Sequence, residues 1–185
     1  MRISQFNNRA AFPLITAGQH PAICTGVVDL GTQTSVFDGK PSIGRKLMKY
    51  FNVLDQVNPK TGRPLSLAEM RSATMHPKGR LRREMESWIG PFPDQGAAND
   101  FDLKELVGRQ CQLIIKHTDN PVAPRAVIEA ILPPLSNVIT SLAMNDDNMY
   151  FSLDKPDMYV FEQLPGRVQR MIEASPEWQT IVSAA

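Results

Sequence analysis

Apolar positions along this chain switch between a period of two and a period near 3.6, and each switch marks a new element. From His20 to Leu30 (His-Pro-Ala-Ile-Cys-Thr-Gly-Val-Val-Asp-Leu) they alternate as in a half-buried strand, with Gly26 where a bulge or sharp bend falls. Gly31 to Ile43 is rich in Gly, Thr, Ser, Asp and Pro, with turn chemistry at Asp38-Gly39-Lys40-Pro41, so a connecting loop is expected there. Residues 44–57 read as a long second strand. One of its faces carries Arg45, Leu47, Lys49, Phe51 and Val53, and the other carries Lys46, Met48, Tyr50, Asn52 and Leu54. Both faces mix apolar with polar or basic residues, so alternation does not choose which one is inside.

Asn58-Pro59-Lys60-Thr61-Gly62-Arg63-Pro64 is a strong turn, and Leu65 to Met75 can supply a third strand that closes a hairpin, although its Ala-Glu-Met-Arg portion also tolerates helix. Between 77 and 89, Leu81, Met85, Trp88 and Ile89 fall at helical spacing, and Gly90-Pro91 stops the run. A short helical piece over 102–108 precedes two further β-like segments, Gln110 to Thr118 and Arg125 to Leu132, parted by Asp119-Asn120-Pro121. The order β-β-β-α-β-β predicts a mainly β (α+β) protein: a five-stranded OB-fold Greek-key barrel with a helix between strands three and four. The expected organisation is an N-terminal arm over 1–18, the OB-fold domain over 19–134, and a linker with a partly helical C-terminal tail over 135–185. In that tail Tyr159 to Ile172 reads as helix broken at Pro165-Gly166, with Ser175-Pro176-Glu177-Trp178 beyond it.

Composition narrows the class without changing the fold. A hydrophobic share of 42% and a charged share of 21% over 185 residues are those of an ordinary globular chain. The longest apolar runs are a few residues long, well short of the roughly 20 that span a bilayer, so no membrane association is expected. The N-terminus lacks the apolar core of a secretory signal, which predicts a cytosolic site. Cys24 and Cys111 each lie in an apolar stretch with no C-x-x-C or Cys/His cluster, and read as reduced core thiols. The net charge of +1 conceals an asymmetry: residues 1–91 hold 13 Lys/Arg against 6 Asp/Glu, and residues 92–185 hold 7 against 13. A basic first half suits a polyanionic partner.

No constellation for catalysis emerges. His20, His76 and His117 sit on separate elements away from ligand-spaced Cys, Asp or Glu, and no G-x-x-x-x-G-K-[ST] phosphate loop occurs. The expectation is a non-enzyme with neither metal nor cofactor. The informative pattern is instead the interleaving of cations and rings on the second strand, at Arg45, Lys46, Lys49, Tyr50 and Phe51. Single strands are held by cationic side chains along the backbone and by flat rings under the bases. For Phe51 a core position competes with a stacking role. In OB folds the ligand crosses strands two and three, flanked by the loops joining strands one to two and four to five. That path covers 45–53, 68–75, 32–43 and 118–124 and adds Lys40, Arg71, Lys116 and Arg125 as candidates. Lys78, Arg80, Arg82 and Arg83 form the densest basic run, but a run at a helix start is usually a solvated face.

Gly26-Val27-Val28-Asp29-Leu30-Gly31-Thr32-Gln33, Leu81-Arg82-Arg83-Glu84-Met85-Glu86-Ser87-Trp88-Ile89-Gly90 and Phe101-Asp102-Leu103-Lys104-Glu105-Leu106-Val107-Gly108-Arg109-Gln110-Cys111 resemble, in this order, stretches of one family. The late stretches Phe151-Ser152-Leu153-Asp154, Phe161-Glu162-Gln163-Leu164-Pro165 and Ile172-Glu173-Ala174-Ser175-Pro176-Glu177-Trp178 do so too. Through them the chain resembles small OB-fold proteins of tailed bacteriophages, encoded beside replication and recombination genes and in several cases regarded as single-stranded DNA-binding proteins. Lys49 and Asn52 depart from the family pattern of an apolar and then an acidic residue, and make the strand more cationic. The resemblance implies sequence-tolerant binding of single-stranded DNA in phage replication or recombination, in the cytoplasm of an infected bacterium, and is compatible with a homo-oligomer. The alternative is a non-catalytic adaptor that recruits a phage recombinase, nuclease or helicase. Tyr159, Phe161, Leu164 and Ile172 equip the C-terminal segment either to pack on the barrel or to recruit phage or host replication and recombination proteins.

Overall fold

A computed structural model describes residues 13–37, 39–135 and 148–184. The chain forms a mostly β structure built on an antiparallel sheet. Its strands are β1 (Gly18–Phe37), β2 (Lys40–Val57), β3 (Pro64–Ser72), β4 (Gln110–His117) and β5 (Ala126–Leu132), joined by a short β6 (Met149–Phe151). The helices are α1 (Arg80–Ile89), α2 (Gln95–Asn99), α3 (Met158–Gln163), α4 (Gly166–Glu173) and α5 (Pro176–Ala184), with one 3-10 turn at Leu103–Leu106. The sheet runs β3-β2-β1-β4-β5, with β6 parallel to β1 off this path. Among the described residues β3 and β5 form no ladder with each other, so the sheet is open there. α1 packs against both strands beside the opening.

The segment expected to be a loop, 31–43, is a correction. Thr32 to Phe37 pair with Lys40 to Arg45 as a continuous β-ribbon. Thr, Val and Phe favour extended backbone, and among the described residues the turn between the two strands holds Gly39, at φ +71°. Seven further pairs at about 3.3 Å per residue carry the ribbon roughly 23 Å past the pair Asp29–Leu47.

Strand alternation sorts side chains into two apolar clusters. The inner one gathers Cys24, Val27, Leu47, Phe51, Val53, Leu113, Ile115 and Ile131 with Leu81, Met85 and Trp88 of α1. Trp88 anchors the helix by donating from Nε1 to the Gln110 carbonyl at 2.8 Å. Ile15, from the segment expected to be an arm, is buried in the same cluster. Residues 1–12 of that arm lie outside the described residues. Cys24 and Cys111 are buried free thiols, and loss of solvent raises both above their ordinary pKa, Cys24 to about 11.

The second cluster forms on the opposite side of β1, where Val28 and Leu30 meet Phe151, Leu153, Phe161, Leu164, Val168, Ile172 and Trp178. The C-terminal segment is therefore a packed layer on β1. The Phe161 and Trp178 rings stack at 4.5 Å, and Asp157 caps α3 through the Tyr159 and Val160 amides. At Gly31 (φ +68°) a Cβ would lie 2.5 Å from Ser175, so only glycine lets α5 approach this closely. Glu177 of α5 accepts from the Thr32 amide at 2.8 Å and hydroxyl at 2.6 Å, which fastens the root of the ribbon. Of the segment expected to be linker and tail, 135–185, residues 136–147 lie outside the described residues. No helix among the described residues is long and apolar enough to cross a membrane.

Candidate nucleic-acid interface

The β2–β3 ladder decides what alternation alone left open. Leu47, Lys49, Phe51 and Val53 face inward, opposite Arg71, Glu69, Leu67 and Leu65. Lys46, Met48, Tyr50 and Asn52 face outward, opposite Ser72, Met70, Ala68 and Ser66. Three expected DNA contacts therefore fall inside. Phe51 is fully buried, with its ring 6.0 Å from that of Trp88. Lys49 is 0% exposed, its Nζ lying 2.5 Å from Glu84 Oε2 and 3.3 Å from Glu69 Oε2. Arg71 donates from Nε to Glu84 Oε1 at 2.9 Å and pairs through Nη2 with Glu69.

Glu84 holds this cluster together. It is buried on α1, four residues after Arg80, whose Nε also donates to Oε1 at 2.9 Å. Burial pulls the Lys49 ammonium below its ordinary pKa against the opposing pull of Glu84. Burial by itself would raise the Glu84 carboxyl, but Lys49 and Arg71 outweigh it and hold the group below its ordinary value. Desolvation likewise lowers Arg71. These cations are spent on carboxylates inside the protein, so Lys49 and Arg71 are corrected from ligand contacts to parts of the scaffold.

The outer face keeps the remaining features. Lys46 is half-buried and donates from Nζ to Ser72 Oγ at 2.9 Å. Tyr50 is half-buried over Gly26, where a Cβ would come within 3.3 Å of its ring and 3.1 Å of the Met149 carbonyl. Desolvation holds the Tyr50 phenol above its ordinary pKa, so it stays uncharged. Ser66 donates to Asn52 Oδ1 at 2.8 Å. Beside them a notch of about 180 Å³ is bounded by Tyr50, Asn52, Ser66, Met149 and Arg63. Arg63 was missed in the sequence because it sits in the 58–64 turn. Its signal is position: the turn returns the chain at the end of the face that carries Tyr50.

The other expected residues scatter. Lys40 begins β2 at the exposed end of the ribbon. Arg45 is half-buried and donates from Nε to Asp29 at 3.1 Å and from Nη2 to Asp154 at 2.8 Å. Lys116 pairs with Glu129 across β4 and β5 and borders, with Arg80 and Arg83, a groove of about 530 Å³ beside α1. Arg125 is exposed just before β5. The fold thus brings Lys46 and Tyr50 onto one face, adds Arg63, and leaves Lys116 and Arg125 on the β4–β5 side. Among the described residues no group of three or more His, Cys, Asp or Glu is placed to hold a metal ion. No family model, no curated protein and no solved structure matches the chain.

Proposed function

We propose that this protein is a non-enzymatic, OB-type barrel that binds single-stranded DNA across the outer face of β2 and β3. Connectivity supports the barrel: the order β3-β2-β1-β4-β5, with α1 between β3 and β4 and packed beside the β3–β5 opening, is that of a partly open OB fold. The bacteriophage replication or recombination setting, and with it the host cytoplasm, rests on the family resemblance.

The observation that carries the binding reading is the outer ladder itself. Lys46 stands near one end and Arg63 at the other, with Tyr50 between them. Of the positions opposite, Ser66, Ala68 and Ser72 are small, so bases can lie close to the sheet on either side of the Met48–Met70 pair. From Lys46 to Asn52 the face runs about 20 Å at roughly 3.3 Å per residue, enough for a few extended nucleotides. Cations along the phosphates and one ring under a base give affinity with little sequence preference. A second reading, a protein adaptor, draws on the ribbon, where Val36 and Ile43 are each 73% exposed.

Fluorescence anisotropy of a labelled oligo-dT, with duplex of equal length as competitor, tests the proposal. Micromolar or tighter binding that weakens with salt and is poorly competed by duplex is expected, with a loss of roughly tenfold or more in Lys46→Glu/Arg63→Glu. No binding at low salt would sink it in favour of the adaptor.

A further inference from the structure

Arg45 and Lys46 are neighbours on β2, so their side chains leave opposite faces of the sheet. Lys46 serves the outer face. Arg45 borders a separate cleft of about 300 Å³ midway along β1 and β2, at the root of the ribbon, a size at the lower end of ligand pockets, which run roughly 300–1,000 Å³. Its walls include the Phe101 and Tyr150 rings, and Val27 and Leu47 provide apolar surface. Phe101 is braced edge-on by Phe92, with ring centroids 5.5 Å apart. Desolvation holds the Tyr150 phenol above its ordinary pKa.

The polar end of the cleft is fixed in place. Asp29 accepts from the Gly31 amide at 3.0 Å and the Leu153 amide at 3.2 Å, and takes Arg45 Nε and Nη2 on its two oxygens. That grip leaves Arg45 Nη1 with no hydrogen-bond partner among the described residues. Asp154, whose side chain is 78% exposed, gives only Oδ1 to Arg45 and leaves Oδ2 open. A held donor therefore stands next to an available acceptor, in a cleft that two aromatic side chains also line.

We propose that this cleft binds a single unstacked nucleobase, with Phe101 and Tyr150 flanking the ring and Arg45 Nη1 and Asp154 Oδ2 meeting its Watson–Crick edge. The edge of every base sets a hydrogen-bond donor beside an acceptor, so this pairing tolerates all four, and a splayed base held between aromatic side chains is a common mode for single strands. Charge rules against a phosphate as the occupant: Asp29, Asp102 and Asp154 border the cleft against the single guanidinium of Arg45. The assignment rests on the single-strand reading and extends it. Ser72, opposite Lys46, ends β3, and Ala73 borders the cleft with its amide donating to the Arg45 carbonyl at 2.8 Å. A strand on the outer face can therefore turn its last base round the end of β3 and into the cleft.

The test is saturation-transfer NMR on the full chain, with thymidine and deoxyguanosine as ring probes and deoxyribose 5-phosphate as a phosphate probe without a ring. Ring protons of both nucleosides should receive saturation and the sugar phosphate should not. Phe101→Ala should weaken nucleoside binding roughly fivefold or more. Asp154→Ala, at an exposed position, should weaken it too, which keeps the experiment readable if the Phe101 variant fails to fold. Saturation of the sugar phosphate alone, or nucleoside signals unchanged in both folded variants, would overturn the assignment. Oligo-dT anisotropy run alongside separates the two readings. Strand binding without nucleoside saturation refutes the cleft and spares the outer face. Nucleoside saturation lost in the variants, without strand binding, upholds the cleft for free nucleosides and refutes the strand as its source.

Discussion

Lys46 and Lys49 lie three residues apart on one strand, and the two faces of β2 give them opposite work. Lys46 stands half-exposed beside Ser72, its charge directed to solvent. Lys49 is fully enclosed, where a lone ammonium would cost several kcal/mol. It is tolerated because Glu69 faces it across the ladder and Glu84 reaches it from α1. Whether a lysine faces solvent or is enclosed in the scaffold is set here by what sits opposite it, and the deciding residue is 35 positions away along the chain.

The sharpest way to break this contrast is to remove the enclosed charge. Lys49→Met leaves Glu84 Oε2 and Glu69 Oε2 without their cation, and Glu69 Oε2 has no hydrogen bond among the described residues to fall back on. Breaking a buried pair from one side costs about 3–5 kcal/mol, so urea unfolding should show a loss of that order. Lys49→Met/Glu69→Met removes the stranded carboxylate along with its partner and should recover part of it. A Lys49→Met protein as stable as the parent would refute the scaffold role.

A smaller effect appears with pH. Glu84 is held below its ordinary 4.5 in the folded state, so it contributes stability that is fully present above 4.5 and lost as pH falls through its folded value. Unfolding midpoints measured from pH 6 downward should therefore decline more steeply in the parent than in Glu84→Gln, although the variant starts lower. Parallel profiles would mean that this carboxylate titrates alike in the folded and unfolded chain.

The sequence disclosed period and order well. β4 and β5 are within a residue of the expected runs at all four ends, and α1 lies within the expected 77–89. The ribbon was hidden because Gly, Thr and Ser read as loop, although Thr34, Val36 and Phe37 also suit a strand. β6 is three residues long, too short to show any period. For the candidate site, the placing of Lys46 and Tyr50 on one face was legible as a cation and a ring two turns of alternation apart. Lys49 and Arg71 were not, because their burial depends on how α1 is rotated and where it sets Glu84. No spacing within β2 carries that information.

The smallest expected change in stability carries the finest discrimination. Lys46→Ala removes one bond to a serine at the surface, so the unfolding free energy should move by no more than about 0.5 kcal/mol. If Lys46 touches one phosphate of a bound strand, the slope of log K against log salt for oligo-dT should become shallower by about 0.7. Lys49→Met, to the extent that it folds, should leave that slope unchanged, because a charge neutralised inside the protein releases no counterion from the strand. A shift in slope in both variants would place both lysines at the ligand and dissolve the distinction between the two faces. A shift in neither would move binding away from this ladder, and the cations beside α1, Arg80, Arg83 and Lys116, would be the next to exchange.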